Sequence, residues 1–517
     1  MTDLRSRPAV PTAPRAASRL RFAGCGVLAG VAGIAVGHLV AALTNPAASP
    51  VLAVGSVVID LTPTPVKEYV IAQVGTADKP ILLASVSLVT LALAALAGVL
   101  ARRRPALGVG LLLALVAAAG VASMTRPAAR PADLLPAVAT AVVGVGTLLG
   151  LRRILNDGTT DDAASGTTRR TFLVAAAGVT AGAAVAGAAG QRVAERATDT
   201  SAVTLPPPSK PASPLPAGVE TSVPGVSPFR TPTASFYRVD TNLTVPRVAA
   251  ASWSLEVDGD VRNPFTLTYD DLLRMPMVER DITLTCVSNE VGGGYVGAAR
   301  WLGVRLTDVL DRAGVGAQAD QILSTAVDGF TISTPLAVAR DGRDAMIAVG
   351  MNGEPLTDVH GFPARLVTPG LYGFVGATKW LTRLTLTTYA AQQAYWTQRQ
   401  WATDAPIKTS ARIDTPAPLS TVPPGRTAIG GVAWAQHRGV GRVEVQVDGG
   451  AWRPAQLGPD AGVDYWRQWY LPWDAATGQH TLAVRATDLA GQVQTDRRAT
   501  PFPDGSSGIQ QVVVIVS

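Results

Sequence analysis

The stretch Asp281-Ile-Thr-Leu-Thr-Cys-Val-Ser-Asn289 decides how this chain is read. Ile282, Leu284 and Cys286 alternate with Asp281, Thr283 and Thr285, the period-two pattern of a strand with one face turned to a core. The strand runs into Glu290-Val-Gly-Gly-Gly-Tyr295, where consecutive glycines let the backbone approach a large ligand closely. Cys286 at this junction has three readings: a buried core residue, a soft metal ligand, or a nucleophile. A nucleophile needs a base, and the second half of the chain offers only His360, His437 and His480, the last two in a later domain. The other cysteine, Cys25, lies in a distant apolar run, so a disulfide framework and a CxxC zinc site are both excluded.

Outward from this stretch, Trp253, Leu255 and Val257 alternate before a turn at Asp258-Gly259. Further strands are predicted at Ala364 to Thr368 and Leu381 to Thr387, with short helices at Tyr269 to Arg274 and Val304 to Ala313. The mixture is α+β and not a regular βαβ array. Downstream come His360-Gly-Phe-Pro-Ala-Arg365 and Tyr372-Gly-Phe-Val-Gly-Ala-Thr-Lys-Trp380. A His, an Arg and a Lys set among Gly, Pro and apolar residues suit an anionic ligand held by forked and point charges beside backbone donors.

Two Pro-rich breaks frame this region. Pro206 to Pro228 reads PPPSKPASPLPAGVETSVPGVSP and is predicted to be an extended tether. Thr415-Pro-Ala-Pro-Leu-Ser-Thr-Val-Pro-Pro-Gly425 opens a last domain with alternating strands at Ile429 to Ala435, Arg442 to Val447, Trp466 to Leu471 and His480 to Ala486. That spacing suggests a β-sandwich of immunoglobulin type.

The first 200 residues have another character. Apolar runs of spanning length occur at about 22–43, 81–101, 107–124, 134–151 and 172–190. Val51 to Val74, broken by Asp60, Pro63, Pro65, Lys67 and Glu68, is predicted to be a loop or interfacial segment. His38 is the only intramembrane histidine, too few for a haem-binding bundle.

The 517 residues carry a formal charge of +6, an isoelectric point near 9.5 and a mean hydropathy of +0.24, with 16% charged and 47% apolar residues. A disordered chain is excluded. The first 200 residues hold 18 Lys/Arg against 10 Asp/Glu and the rest 26 against 28, so the surplus belongs to the apolar part. It reads as a membrane signal and not as a nucleic-acid footprint. Arg5, Arg7, Arg15, Arg19, Arg21, Arg102 to Arg104, Arg152, Arg153, Arg169 and Arg170 all fall on one side of the five spans. The expectation is a multi-pass protein of the cell membrane, its N-terminus cytoplasmic and its catalytic domain extracytoplasmic. Thr167-Thr-Arg-Arg-Thr-Phe-Leu-Val174 before the fifth run resembles an internal twin-arginine export signal.

From about Ser227 to the C-terminus the chain resembles the sulfite oxidase family of molybdopterin-dependent oxidoreductases. The resemblance rests on Phe236-Tyr-Arg-Val-Asp-Thr-Asn-Leu-Thr-Val-Pro246, Trp253-Ser-Leu-Glu-Val-Asp-Gly259, Leu284-Thr-Cys-Val-Ser-Asn289, Met351-Asn-Gly-Glu-Pro-Leu356, His360-Gly-Phe-Pro-Ala-Arg365 and Lys379-Trp380. Gly441-Arg-Val-Glu-Val-Gln-Val-Asp-Gly-Gly450 and Trp466-Arg467 are similar to the family's immunoglobulin-like dimerisation domain. It implies molybdopterin as cofactor and Cys286 as the thiolate on molybdenum. It also implies His360, Arg365, Gly376, Ala377, Thr378 and Lys379 as holders of the pterin phosphate and ring. Arg238 falls on a substrate-facing position if the leading Phe and Arg are aligned. Asp240, Thr241 and Asn242 fall on pterin contacts if Val245-Pro246 is the anchor. Animal and plant members carry a basic residue after the Asn and a Tyr in a nearby loop. Here Glu290 and Val327-Asp-Gly-Phe-Thr-Ile-Ser333 stand instead, which removes a positive charge and a phenol from where sulfite would bind.

The expected organisation is a transmembrane bundle at 1–200, a linker at 201–228, an α+β molybdopterin domain at 229–414 and an all-β sandwich at 415–517. The expected activity is oxygen-atom transfer to or from a small substrate, sulfite or sulfoxide-like, with a separate electron carrier and pairing through the sandwich. The alternative is a non-catalytic anchored binding module built on a degenerate molybdopterin fold.

Overall fold

The computed structural model describes residues 15–74, 77–157, 165–195, 200 and 203–517. It divides into two units, Met1–Ala197 with Thr241–Thr244, and Thr198–Asp240 with Val245–Ser517.

The first unit is helical. Five helices, Arg19–Thr44, Asp78–Ala101, Pro105–Met124, Pro131–Asn156 and Arg170–Ala194, are long and apolar enough to cross a membrane. Each contains one of the predicted apolar runs. Arg5 and Arg7 lie outside the described residues. Gly26 and Gly98 bring two helices into direct backbone contact, since a Cβ on Gly26 would lie 1.9 Å from the Ala94 carbonyl oxygen. The segment expected to be a loop or interfacial is instead two helices, Pro50–Leu61 and Thr64–Val74. The break falls at Thr62-Pro63, where proline ends the helical hydrogen bonding. The Asp60 carboxylate that argued against a helix is paired with Arg126 at 2.5 Å.

The second unit begins with the α+β domain. One sheet has the order Phe265–Thr268, Ser254–Gly259, Leu381–Thr387, Gln321–Ala326, Thr331–Pro335, with Ser254–Gly259 parallel to Leu381–Thr387. The other orders Met277–Thr285, Val296–Arg305, Met346–Met351 and Glu354–Pro355, and Arg365–Val367 pairs with Met346–Met351. Trp253, Leu255, Val257, Ile282, Leu284, Trp301, Val304 and Leu384 share one buried core. Leu306–Ala313 begins two residues later than predicted because Val304 and Arg305 still belong to a strand.

The last domain is a sandwich of a four-stranded and a five-stranded sheet around Ile429, Val443, Trp469, Leu482 and Val514. Its first strand is Ser410–Thr415, paired antiparallel with Gly425–Trp434. The sandwich therefore starts before the predicted boundary at 415: the Pro-rich break lies inside this domain, between its first strands.

The stretch expected to be a free tether is strapped along the second unit. Ser209 N–H donates to the Met277 carbonyl at 2.8 Å, Val219 N–H to Gln468 Oε1 at 2.7 Å, Ser227 N–H to Asp414 at 2.9 Å and Thr231 N–H to the Ala298 carbonyl at 2.9 Å. Val219, Val223 and Val226 are buried with Ala428 and Tyr470. Proline removes donors and fixes φ but leaves carbonyls and neighbouring N–H groups free to pair, so a Pro-rich stretch lies well along an edge.

Candidate active site

Cys286 follows the last residue of Met277–Thr285, and a turn closes immediately after it. Its N–H donates to the Tyr295 carbonyl at 2.9 Å, Asn289 N–H donates to the Cys286 carbonyl at 3.0 Å, and Tyr295 N–H donates to Asn289 Oδ1 at 2.8 Å. Within this turn Gly292 has φ +81°, the left-handed conformation that favours glycine. Cys286 is only 8% exposed, and the Ser288 N–H points at its Sγ at 3.4 Å. Burial pushes the thiol pKa up, opposed by the Ser288 hydrogen bond and by the charge of Lys379.

A second set of groups comes from 357–380. His360 is buried, its Nε2 lying 3.0 Å from the Thr233 carbonyl and its ring edge-on to Phe236. A carbonyl accepts only, so Nε2 carries the proton and Nδ1 is left as an acceptor. Burial first, then Arg365, Lys379 and Arg238, lowers the His360 pKa to about 4, and the ring is neutral at physiological pH. Arg365 is 6% exposed, stacked over Trp301, and bonded among the described residues to the carbonyls of His360 at 3.2 Å and Ala377 at 3.5 Å. Burial lowers its pKa to about 10, so the guanidinium is still charged. Lys379 Nζ donates to Asp240 at 2.9 Å and to the Val359 carbonyl at 3.3 Å, and burial lowers its pKa to about 8.

The other expected residues are placed as follows. Arg238 and Lys379 share one oxygen of Asp240, at 2.8 and 2.9 Å. Thr241 and Asn242 count with the helical unit. Gly376 sits against Thr368, where a Cβ would come within 2.9 Å, and the Thr378 hydroxyl is taken up by Ser324 at 2.6 Å. Three contributors escaped the sequence reading. Tyr237 stacks on Phe236, and its phenol pKa is raised first by burial and then by Cys286, while Arg365 opposes. Trp301 forms the floor under Arg365, on a strand whose Gly297, Ala298, Ala299 and Gly303 hide the period-two pattern. Thr233 supplies the carbonyl that fixes His360. The Phe236-Tyr237 pair was the available signal for the first.

Residues 242–396 match the oxidoreductase molybdopterin binding domain family. Human mitochondrial sulfite oxidase is 31% identical over 322 residues, covering 52% of this chain and 58% of that protein. Over its second half the chain is thus similar to sulfite oxidases, through a molybdopterin binding domain. Chicken sulfite oxidase is 29% identical, with 52% of this chain and 68% of that protein covered, and the rice nitrate reductase [NADH] 1 is 28% identical, with 52% and 36%. The sulfane dehydrogenase SoxCD of Paracoccus pantotrophus is a structural neighbour at 25% identity and a TM-score of 0.49, covering 56% of this chain and 83% of that one. The chain thus spans little more than half the length of its human relative.

The match to a molybdopterin binding domain implies molybdopterin, and the residues present fit it. Thr357 Oγ1, Asp358 Oδ1, Arg365 Nε and Thr368 Oγ1 are buried with no hydrogen-bond partner among the described residues. Orphaned buried polar atoms are costly, and four of them on one short stretch mark a place for a polar ligand. They offer a cationic donor, a carboxylate acceptor and two hydroxyls, as a phosphorylated pterin requires.

Proposed function

We propose that this protein is a membrane-anchored molybdenum oxidoreductase that transfers an oxygen atom to or from a small substrate outside the cytoplasm. The observation that carries the reading is Arg365, a buried cation with an unpartnered Nε, bonded to the carbonyl of a neutral histidine and acting, with buried Cys286, on the same Tyr237 phenol. When bound, molybdopterin supplies the two-electron oxygen-atom chemistry, and the protein's part is to hold and shield it.

Cys286 is the thiolate ligand. Burial holds its proton on sulfur in the cofactor-free protein, and the Ser288 N–H at 3.4 Å would stabilise the sulfur anion in the loaded one. His360, fixed through Nε2–H to Thr233, presents Nδ1 as an acceptor to a pterin N–H. Arg365 and Lys379 neutralise the phosphate, with Gly376 and Ala377 providing a backbone wall and Thr378 bracing it through Ser324. Asp240 orients Lys379 and Arg238, and Thr241 and Asn242 are pterin contacts by resemblance alone. Arg238 is the substrate-facing candidate by resemblance, and Tyr237 next to it lies within the electrostatic reach of Cys286. Electrons travel to or from a separate carrier, and pairing of two chains through the sandwich follows the family pattern. The five apolar helices and the one-sided arginines support a membrane anchor with the N-terminus inside.

The test is metal analysis of the full chain made in a cofactor-competent host. The wild type is expected to carry molybdenum and Cys286→Ser at least about tenfold less. Absence of molybdenum from the wild type, or undiminished turnover of Cys286→Ser, overturns the reading.

A further inference from the structure

The strand that ends in Cys286 and the loop that follows it are held from outside their own domain. Thr283 N–H donates to the Asp464 carbonyl at 2.9 Å, and Trp466 N–H returns a bond to Thr283 Oγ1 at 2.8 Å. Two residues on, Gln436 Nε2 reaches Thr285 Oγ1 at 2.9 Å. Beyond the cysteine, Ser506 Oγ donates to the Asn289 carbonyl at 2.5 Å and Arg412 Nη1 to the Gly293 carbonyl at 2.8 Å. All five partners belong to the sandwich, and they grip the chain on both sides of Cys286.

The grip is built at a cost that ordinary domain packing does not require. Gln436 is fully buried, and its Oε1 has no hydrogen-bond partner among the described residues. An orphaned buried amide oxygen costs of the order of 1–3 kcal/mol. Arg412 is held in place by Asp414 at 2.6 Å and by Ser227 at 2.9 Å, so the donor aimed at Gly293 is pre-oriented. The turn after Cys286 is closed by bonds of its own, from Cys286 N–H to Tyr295, Asn289 N–H to Cys286 and Gly293 N–H to Glu290, but it contains three glycines, and these local bonds fix its shape more than its place.

We propose that the sandwich positions the metal-binding cysteine, with Gln436 and Arg412 as the positioning residues, so that this domain is part of the active-site apparatus and not only a pairing module. The inference rests on the reading that Cys286 ligates molybdenum. Neither residue touches the reacting atoms. Gln436 sets the end of the strand through Thr285, and Arg412 sets the glycine turn through Gly293.

The test compares full-length Gln436→Leu and Arg412→Met with Gln494→Leu. Gln494 is also a buried sandwich glutamine, but it bonds only within the sandwich, to Gly508 at 2.8 Å and Ala486 at 3.0 Å. Two readouts besides turnover are taken in a Cys25→Ser background: the rate at which iodoacetamide alkylates Cys286 in cofactor-free protein, and the molybdenum content and Mo(V) resonance of the loaded protein. Local loosening is expected to raise the alkylation rate about tenfold in Gln436→Leu and Arg412→Met and to shift the resonance. Gln494→Leu is expected to lower the unfolding temperature while leaving both readouts at wild-type values. If Gln494→Leu changes the readouts as much as the other two, or if neither positioning variant changes them, the proposal is wrong. Should Gln436→Leu not fold, Arg412→Met decides. Retention of molybdenum by Cys286→Ser would instead strike at the ligand assignment, so the two failures are told apart.

Discussion

Lys379 is the residue whose charge state is most exposed to pH. Its folded pKa of about 8 lies below the ordinary 10.5, because burial outweighs the help from Asp240 while Arg365 and Arg238 repel it. A lysine with a lowered pKa folds best neutral, so the strain of its buried ammonium is present below pH 8 and is relieved as pH rises towards 10.5. An anion bound beside it reverses the preference. Phosphate or cofactor affinity of the cofactor-free protein is therefore expected to fall about tenfold per pH unit above 8 if this group alone responds. Its neighbours titrate elsewhere: His360 near 4, Arg365 near 10, and Cys286 and Tyr237 above their usual ranges. A fluorescence titration with pyrophosphate checks this, and Lys379→Arg should remove the slope between pH 7 and about 9, because guanidinium stays charged throughout. At this scale the sequence was most informative about chemical type. Cys286, His360, Arg365 and Lys379 stand out as rare groups among Gly, Pro and apolar residues. Tyr237 and Trp301 did not, because aromatic residues are the ordinary stuff of cores and nothing local says which face a ligand.

Between elements, the site depends on close approach of backbones. Gly361 has φ +102°, and a Cβ there would lie 2.9 and 3.0 Å from Lys379 Cβ and Cα. Gly353 has φ +90° but open space around it. Gly353→Ala should thus cost about 1 kcal/mol from backbone strain alone, and Gly361→Ala about 2–3 kcal/mol, since the clash adds to the strain. Urea unfolding measures both, and equal losses would show that the contact with Lys379 is not tight. Leu381–Thr387 and the end of the Cys286 strand were legible because β-branched and apolar residues alternate cleanly there. Val296–Arg305 and Met346–Met351 were not, since strands buried on both faces lose the polar beat that marks a half-exposed one. The same loss of contrast misled at Pro50–Leu61 and Thr64–Val74, where three charged residues and two prolines suggested a loop or interfacial segment. Arg126 neutralises the charge at Asp60, and the proline at 63 lies between two helices.

For the molecule as a whole, the buried clusters of the α+β domain and the sandwich are made from residues after 200, so the second unit has a core of its own. Thr198–Ser517 produced without the preceding helices is expected to be soluble and to unfold in one cooperative transition, as monitored by circular dichroism. Aggregation on expression, or two separate transitions, would show that the domains do not stabilise one another. The Pro-rich stretches were readable from composition, because they interrupt every periodic pattern. What those stretches do was not, because an extended backbone looks the same whether it floats or pairs along an edge. Here it pairs: the strap runs from Met277 to Gln468 and Asp414 and back to Ala298, crossing from one domain to the other and returning. A lacing of this kind leaves the second unit without a hinge. The two domains cannot swing like a clamshell unless the strap is peeled away, so substrate entry and product exit depend on side chains and short loops, and turnover should not be paced by a slow domain motion.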